Sequence, residues 1–336
     1  MACAHFHRGH LVKNRILFPL SLLVLSILAC GQTTPTPAPV DRYALLPETK
    51  YTPATDPWPP TVIDGWSAPA PMPFPVNTAG GEDSPFVTPD GQTLYFFFTP
   101  DVSIPVEKQL LDGVTGIWVT HFSGGAWGEP RRVWLSGRGE AALDGCPFIS
   151  GNLMFFCTAR AGYNGVQWFR ADFKDGAWQD WRFAGDELKQ KAYEVGELHI
   201  SADGQEMVFG SSRSGGYGQS DLWVSRLTPD GWGEPVNLGL AVNTAADESR
   251  PFLSSDGQEL WFTGQSTKNR PGPAVFLSLR QPDGTWGAAV EVISTFAGEP
   301  TLSGDGKTLY FIHHYYSADL SRMLEADIYV TYRLNP

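Results

Sequence analysis

A four-strand unit recurs along this chain, and the recurrence limits the available folds more than any single motif does. Its best copy is Glu197–Leu238. An apolar run (Leu198–Ser201) meets the turn Ala202-Asp203-Gly204-Gln205, and a second run follows (Met207–Ser211). A Gly/Ser loop leads to a third run (Leu222–Leu227), the turn Pro229-Asp230-Gly231, and a closing segment (Trp232–Leu238). Asp and Gly stand where tight turns need them. Val, Phe, Trp and Leu fill the runs, as strands prefer. Further copies are predicted over Glu82–Val133, Asp144–Phe183, Glu248–Ile293 and Glu299–Pro336. The turn aspartates set the period: Asp203 to Asp256 is 53 residues, Asp256 to Asp305 is 49, and Asp90 to Asp203 is 113, two periods.

The second runs, such as Leu94-Tyr95-Phe96-Phe97-Phe98 and Leu309-Tyr310-Phe311-Ile312, are apolar at successive positions, the pattern of strands buried on both faces. Small sheets stacked face to face satisfy it; a one-sided sheet does not. The last copy ends at Arg333-Leu334-Asn335-Pro336 without its Gly-Trp closing segment. The missing piece stands near the other end, as Asp64-Gly65-Trp66 followed by Val76-Asn77-Thr78. These match Asp230-Gly231-Trp232 and Val242-Asn243-Thr244 of the best copy. An N-terminal strand that completes the last unit closes the stack into a ring and removes its open edges. The expected fold is all-β: a five-bladed β-propeller of four-stranded antiparallel blades over residues 63–336.

The units resemble the WD40-like repeats of TolB-type propellers. The resemblance is carried by Ser201-Ala202-Asp203-Gly204, Ser211-Ser212-Arg213 and Asp221-Leu222-Trp223, and it covers about Trp66 to Pro336. It implies a propeller, with Arg160 and Arg213 pairing structurally with a nearby acid such as Asp221.

Residues 1–29 carry a basic start (Arg8, Lys13, Arg15) and an apolar run from Ile16 to Ala29, too short for a comfortable membrane span. The junction Ile27-Leu28-Ala29-Cys30-Gly31 resembles a bacterial lipobox, which implies lipidation at Cys30 and a place at the cell envelope, facing the periplasm or exterior. Residues 30–62, with the tract Thr33-Thr34-Pro35-Thr36-Pro37-Ala38-Pro39, are expected to form a tether. Losing the three leader cations takes the net charge from −12 to −15, which disfavours nucleic acid and anionic surfaces. Cys146 and Cys157 bracket the turn Gly151-Asn152. In a two-residue hairpin, partners have numbers that add to 303, as these do, so a disulfide is expected in an exported domain.

The Asp-Gly turns lack the alternating oxygen ligands of a calcium loop. The loops at the opposite end vary, which marks that end for recognition. Acids precede each first strand: Glu82 and Asp83, Asp144, Glu194 and Glu197, Asp247 and Glu248, and Glu299. Converging at a channel mouth, they would bind a cationic group, a metal or a sugar, or pair with Arg250, Arg160 and Arg213. Alternatively two would act as acid and base on a glycosidic bond, with Asp83, Asp144 and Glu197 placed as in arabinanase-type propellers. Tyr163, Tyr217, His314 and Tyr315, with Trp168, are expected to form an aromatic rim. His313 and His314, adjacent on one strand, point to opposite faces and so do not ligate one metal. A short helix is expected over Ser317–Ala326. The reading is a monomeric, tethered propeller without cofactor or metal, binding an envelope protein or glycan through Glu82, Asp144, Glu197, Glu248, Arg250, Glu299 and the rim. The alternative is a glycoside hydrolase.

Overall fold

Turn residues and apolar runs alternate so regularly that nearly every ordered segment becomes a short antiparallel strand. The computed structural model describes residues 40–136, 140–185 and 197–334; the leader, Cys30 and Glu194 lie outside them. Among the described residues the only helical element is the 3₁₀ turn Val106–Lys108.

The strands form four sheets. One joins Ala142–Ser150, Leu153–Arg160, Val166–Lys174 and Ala177–Phe183. Another joins Leu198–Ile200, Glu206–Ser211 and Asp221–Thr228, whose outer edge takes Gly231–Trp232 and Val236–Asn237. A third joins Ser249–Leu253, Glu259–Gln265, Pro273–Leu279 and Val290–Ser294, with Thr61–Val62 on its outer edge. The fourth has nine strands. It contains an antiparallel group Gly81–Val87, Thr93–Thr99 and Gly116–Ser123, edged by Ala126–Trp127 and Arg131–Arg132. It also contains a group Ala297–Leu302, Thr308–Tyr316 and Met323–Tyr332, edged by Ala70–Pro71. The two groups meet at one parallel pairing, Ala326 with Gly81.

The second strand of most groups splits its side chains between two cores. Leu94, Phe96 and Phe98 enter one cluster and Tyr95 another. Met207 and Phe209 part from Val208, and Trp261 parts from Leu260 and Phe262, in the same way. Both faces of these strands are therefore dry. Each fully buried Phe or Leu contributes on the order of 1.5–3 kcal/mol, which is why successive apolar residues are retained.

Two local devices repeat. In the Asp-Gly turns, Asp203 accepts from Ser201 Oγ (2.6 Å) and Gln205 N (3.0 Å), while Glu206 N donates to Ser201 Oγ (2.9 Å). Asp90, Asp256 and Asp305 hold their turns identically. Their oxygens are thus spent on the chain itself. The second device is a bulge in four first strands, at Ser84, Cys146, Arg250 and Glu299. Each has φ between 48° and 56° and each is followed by proline. The ladder slips there by one residue.

The bulge corrects the hairpin register. Phe148 pairs with Phe155, as counting from the turn requires, but Cys157 stands opposite Gly145. Cys146 is the bulged residue, and it is disulfide-bonded to Cys157, with Cα atoms 5.4 Å apart.

The N-terminal segment also differs from expectation. Residues 40–62 do not hang free as a tether. Arg42 is buried, donating to the carbonyls of Pro75 and Val76 (2.8 Å each) and to Glu82 Oε1 (2.5 Å), with its guanidinium 4.3 Å from the Phe98 ring. Lys50 bridges Glu325 and Asp327. Asp56 meets His313 Nε2 at 2.8 Å, both side chains fully buried. Farther on, Trp66 bridges to Arg333, and Ala70–Pro71 pairs with Val330 and Tyr329. Residues 317–326 are not a helix either: Asp319 caps a turn through Ser317 Oγ and Ser321 N, and the strand starting at Met323 follows.

Candidate functional site

The bulges decide which acids meet. The residue before each proline turns inward, and Glu197, just before Leu198, stands in the same position of its group. Ser84, Cys146, Glu197, Arg250 and Glu299 therefore line one cavity, with Phe86, Phe148, His199, Phe252 and Thr301 two residues further along the strands. The cavity holds about 50 Å³, enough for a water-sized group and far below the ~300 Å³ at which small-molecule pockets begin.

The expected acids divide into two sets. Glu82, Asp144 and Glu248 stand two residues before the bulge and serve the framework. Glu82 takes Arg42 together with the amide and hydroxyl of Thr78. Asp144 takes Arg160 at 2.9 Å, whose guanidinium lies 4.3 Å from the Trp181 ring. Glu248 takes the amide and hydroxyl of Thr244 at 2.9 and 2.5 Å.

Asp83, Glu197 and Glu299 converge on Arg250. Its Nε lies 3.0 Å from Glu197 Oε2 and 2.5 Å from Glu299 Oε1. Ser84 Oγ donates to Glu197 Oε1 (3.4 Å), and Ser84 N to Asp83 Oδ1 (2.8 Å). Burial raises the Glu197 carboxyl; Arg250 opposes this and Asp83 adds to it. Burial lifts Glu299 well above the usual range, against Arg250 and reinforced by Asp83 and Glu197. Asp83 is pushed up by burial too, but the charge that His314 carries at low pH, a hydrogen bond with Glu299, and Arg250 outweigh it, so its carboxyl lies below the ordinary value. Burial holds His314 at about 4, so it is neutral at pH 7. Arg250 thus stands between Asp83, whose carboxyl lies below its ordinary value, and Glu299, whose carboxyl burial raises well above it.

The rim is less aromatic than expected. Tyr315 is 1 % exposed, with its hydroxyl 2.7 Å from that of Tyr329 and 3.2 Å from Asp327, and Trp168 is also core. Two β-strand neighbours cannot both face outward; His314 faces the mouth, whereas Tyr315 belongs to the opposite face. Tyr163 (38 % exposed) stacks on Phe183, and Tyr217 (48 %) projects from its loop. Asp221 does not serve as a simple ion-pair partner: it accepts from Tyr217 N, Gly218 N and Asn237 Nδ2 and shapes that loop. Arg213 lies 4.9 Å from the Phe209 ring.

Sequence reasoning missed the strap of residues 40–58. One signal was available: Arg42 and Lys50 are the only basic residues between Cys30 and Lys108. Beside the strap lies an apolar pocket of about 320 Å³ lined by Tyr43, Leu46, Tyr51, Met72 and Phe74. Among the described residues, no group of three or more His, Cys, Asp or Glu is placed to hold a metal ion.

No family model matches the chain, and no curated protein is similar to it. Similar solved structures include a protein assigned as TolB from Agrobacterium tumefaciens, at 14% identity with a TM-score of 0.44, covering 77% of this chain and 92% of that one. TolB from Acinetobacter baumannii is 14% identical with a TM-score of 0.40, over 72% of this chain and 53% of that one. An α-L-arabinofuranosidase from Lactobacillus brevis is 13% identical with a TM-score of 0.49, over 78% and 92%.

Proposed function

We propose that this chain is a five-bladed β-propeller, lipid-anchored at the cell envelope through Cys30, that binds a protein or glycan partner on its loop-bearing face. In this reading the nine-stranded sheet is two blades joined by the Ala326–Gly81 pairing, and Ala70–Pro71 completes the last blade. The Val-Asn-Thr repeat supports it. Asn243 exchanges hydrogen bonds with Leu222 N and O, and Asn77 does the same with Ile328 N and O. The N-terminal segment therefore connects its neighbours as an ordinary inter-blade link does.

The observation that carries the binding reading is the size of the mouth. A cavity of about 50 Å³ admits no sugar ring, so recognition falls to the surrounding loops and their exposed Tyr163 and Tyr217. The hydrolytic alternative draws no support from the geometry, because Asp144 is occupied by Arg160 instead of facing Asp83 and Glu197.

The test is a screen of envelope proteins and glycans against the soluble chain of residues 40–336. A ligand should be lost in Tyr217→Ala combined with Tyr163→Ala and kept in Gln205→Ala on the opposite, turn-bearing end. Loss only in Gln205→Ala, or cleavage of a glycan during the screen, would overturn the reading.

A further inference from the structure

We propose that Tyr163 and Trp181, in the sheet of residues 142–183, form a platform for the flat face of a sugar ring in an uncharged oligosaccharide. The inference rests on the loop-face binding reading and chooses a glycan as its partner.

The strand Ala177–Phe183 is the last strand of that sheet. Strand alternation puts Trp181 and Phe183 on one face. Tyr163, from the loop before Val166–Lys174, stacks on Phe183 with ring centroids 5.4 Å apart and planes 24° apart. All three rings touch the buried Phe169, at 4.8 Å for Tyr163 and 5.7 Å for Trp181 and Phe183. The platform is also held from below. Arg160, fastened by Asp144 at 2.9 Å, sets its guanidinium 4.3 Å from the Trp181 ring. With their inner sides packed in this way, Tyr163 is still 38 % and Trp181 39 % exposed. Rings fixed from within lose little rotamer freedom when a ligand lands on them.

The surroundings select the ligand. Lys174 pairs with Asp172 and Asp180, and Arg182 pairs with Asp172. These two acids and two bases cancel, which favours an uncharged ligand, and their polar atoms suit its hydroxyls. The C–H bonds on one face of a pyranose carry partial positive charge and pack against the negative face of an aromatic ring. A protein partner needs pockets for its anchor side chains, and the two cavities described above are lined by other residues. A nucleobase would stack as well, but it brings phosphates to a chain of net charge −12.

The test is saturation-transfer NMR and calorimetric titration of the soluble chain (residues 40–336) with cellotriose, maltotriose and chitotriose. At least one is expected to bind saturably, with its ring C–H protons receiving saturation from aromatic protons of the protein. Trp181→Ala and Tyr163→Ala should each weaken that binding about tenfold, the scale of one aromatic contact. Tyr217→Ala, in the loop of another sheet, should leave it unchanged. Should Trp181→Ala fail to fold, Tyr163→Ala decides. No binding of any of the three sugars, binding that survives both substitutions, or an equal loss in Tyr217→Ala would overturn the proposal. If a protein partner from the screen needs Tyr163 and Trp181 while no trisaccharide binds, the glycan assignment falls and the binding face remains. If a trisaccharide needs both rings while the partner from the screen is lost only in Gln205→Ala, the face reading falls alone.

Discussion

A left-handed backbone at a residue other than glycine costs on the order of 1–2 kcal/mol, and this protein accepts it at Ser84, Cys146, Arg250 and Glu299. What it gains is aim: the bulge turns these side chains into one shared cavity, and the prolines after them hold the turn. Counting residues from a hairpin presumes an even ladder, so the bulge was hidden and framework acids were grouped with mouth acids. The cysteines still meet. Their bond closes a separation of 11 residues, and its loss through Cys157→Ser is expected to cost about 3 kcal/mol on the loop-entropy account, read as a lower urea midpoint. His199 gives a pH prediction. Burial alone lowers it to about 3, and its Nδ1 accepts from Leu253 N (3.2 Å), which requires the neutral ring. The folded value lies below the ordinary 6.5, so the stabilisation is present above pH 6.5 and is lost as pH falls towards 3. Between pH 6.5 and 5 wild type should lose about 2 kcal/mol more than His199→Gln; parallel stability curves for the two proteins would refute the assignment.

Strands and turns were the most legible elements, because each obeys a local rule. Val, Phe and Trp fill the runs, and Asp203, Asp256 and Asp305 mark the turns. Orientation within fully buried strands was not legible. In Thr308–Tyr316 both faces are apolar, so no alternation separates Tyr315, which is core, from His314, which faces the mouth. The strap was missed for another reason: Lys50 finds Glu325, and Asp56 finds His313, across more than 250 residues, and no local pattern records such a partner. The connectors allow a test at this scale. Asn243→Ala removes the acceptor of the Leu222 amide and Asn77→Ala that of the Ile328 amide, while the two carbonyls keep Leu238 N and Met72 N as donors. Each is expected to cost about 1–3 kcal/mol. Similar losses in thermal melts would mark the two connectors as equivalent, and a neutral Asn77→Ala would separate them.

Across the whole molecule, the N-terminal residues matter more than their composition suggests. A chain beginning at Gly80 lacks the partners of Glu82, Glu325, Asp327 and His313, the Asn77 clamp and the Ala70–Pro71 edge. Each orphaned buried charge costs about 3–5 kcal/mol, against a total stability of about 5–15 kcal/mol. That chain is expected to show no cooperative melt by circular dichroism, whereas one beginning at Val40 melts sharply; comparable melts would show that the strap is dispensable. The docked strap also works as a clasp: Lys50 and Asp56 hold Glu325, Asp327 and His313 across more than 250 positions of sequence. The early and late segments of the fold are therefore expected to come undone together, and a protease cut within the strap loosens the last two long strands first.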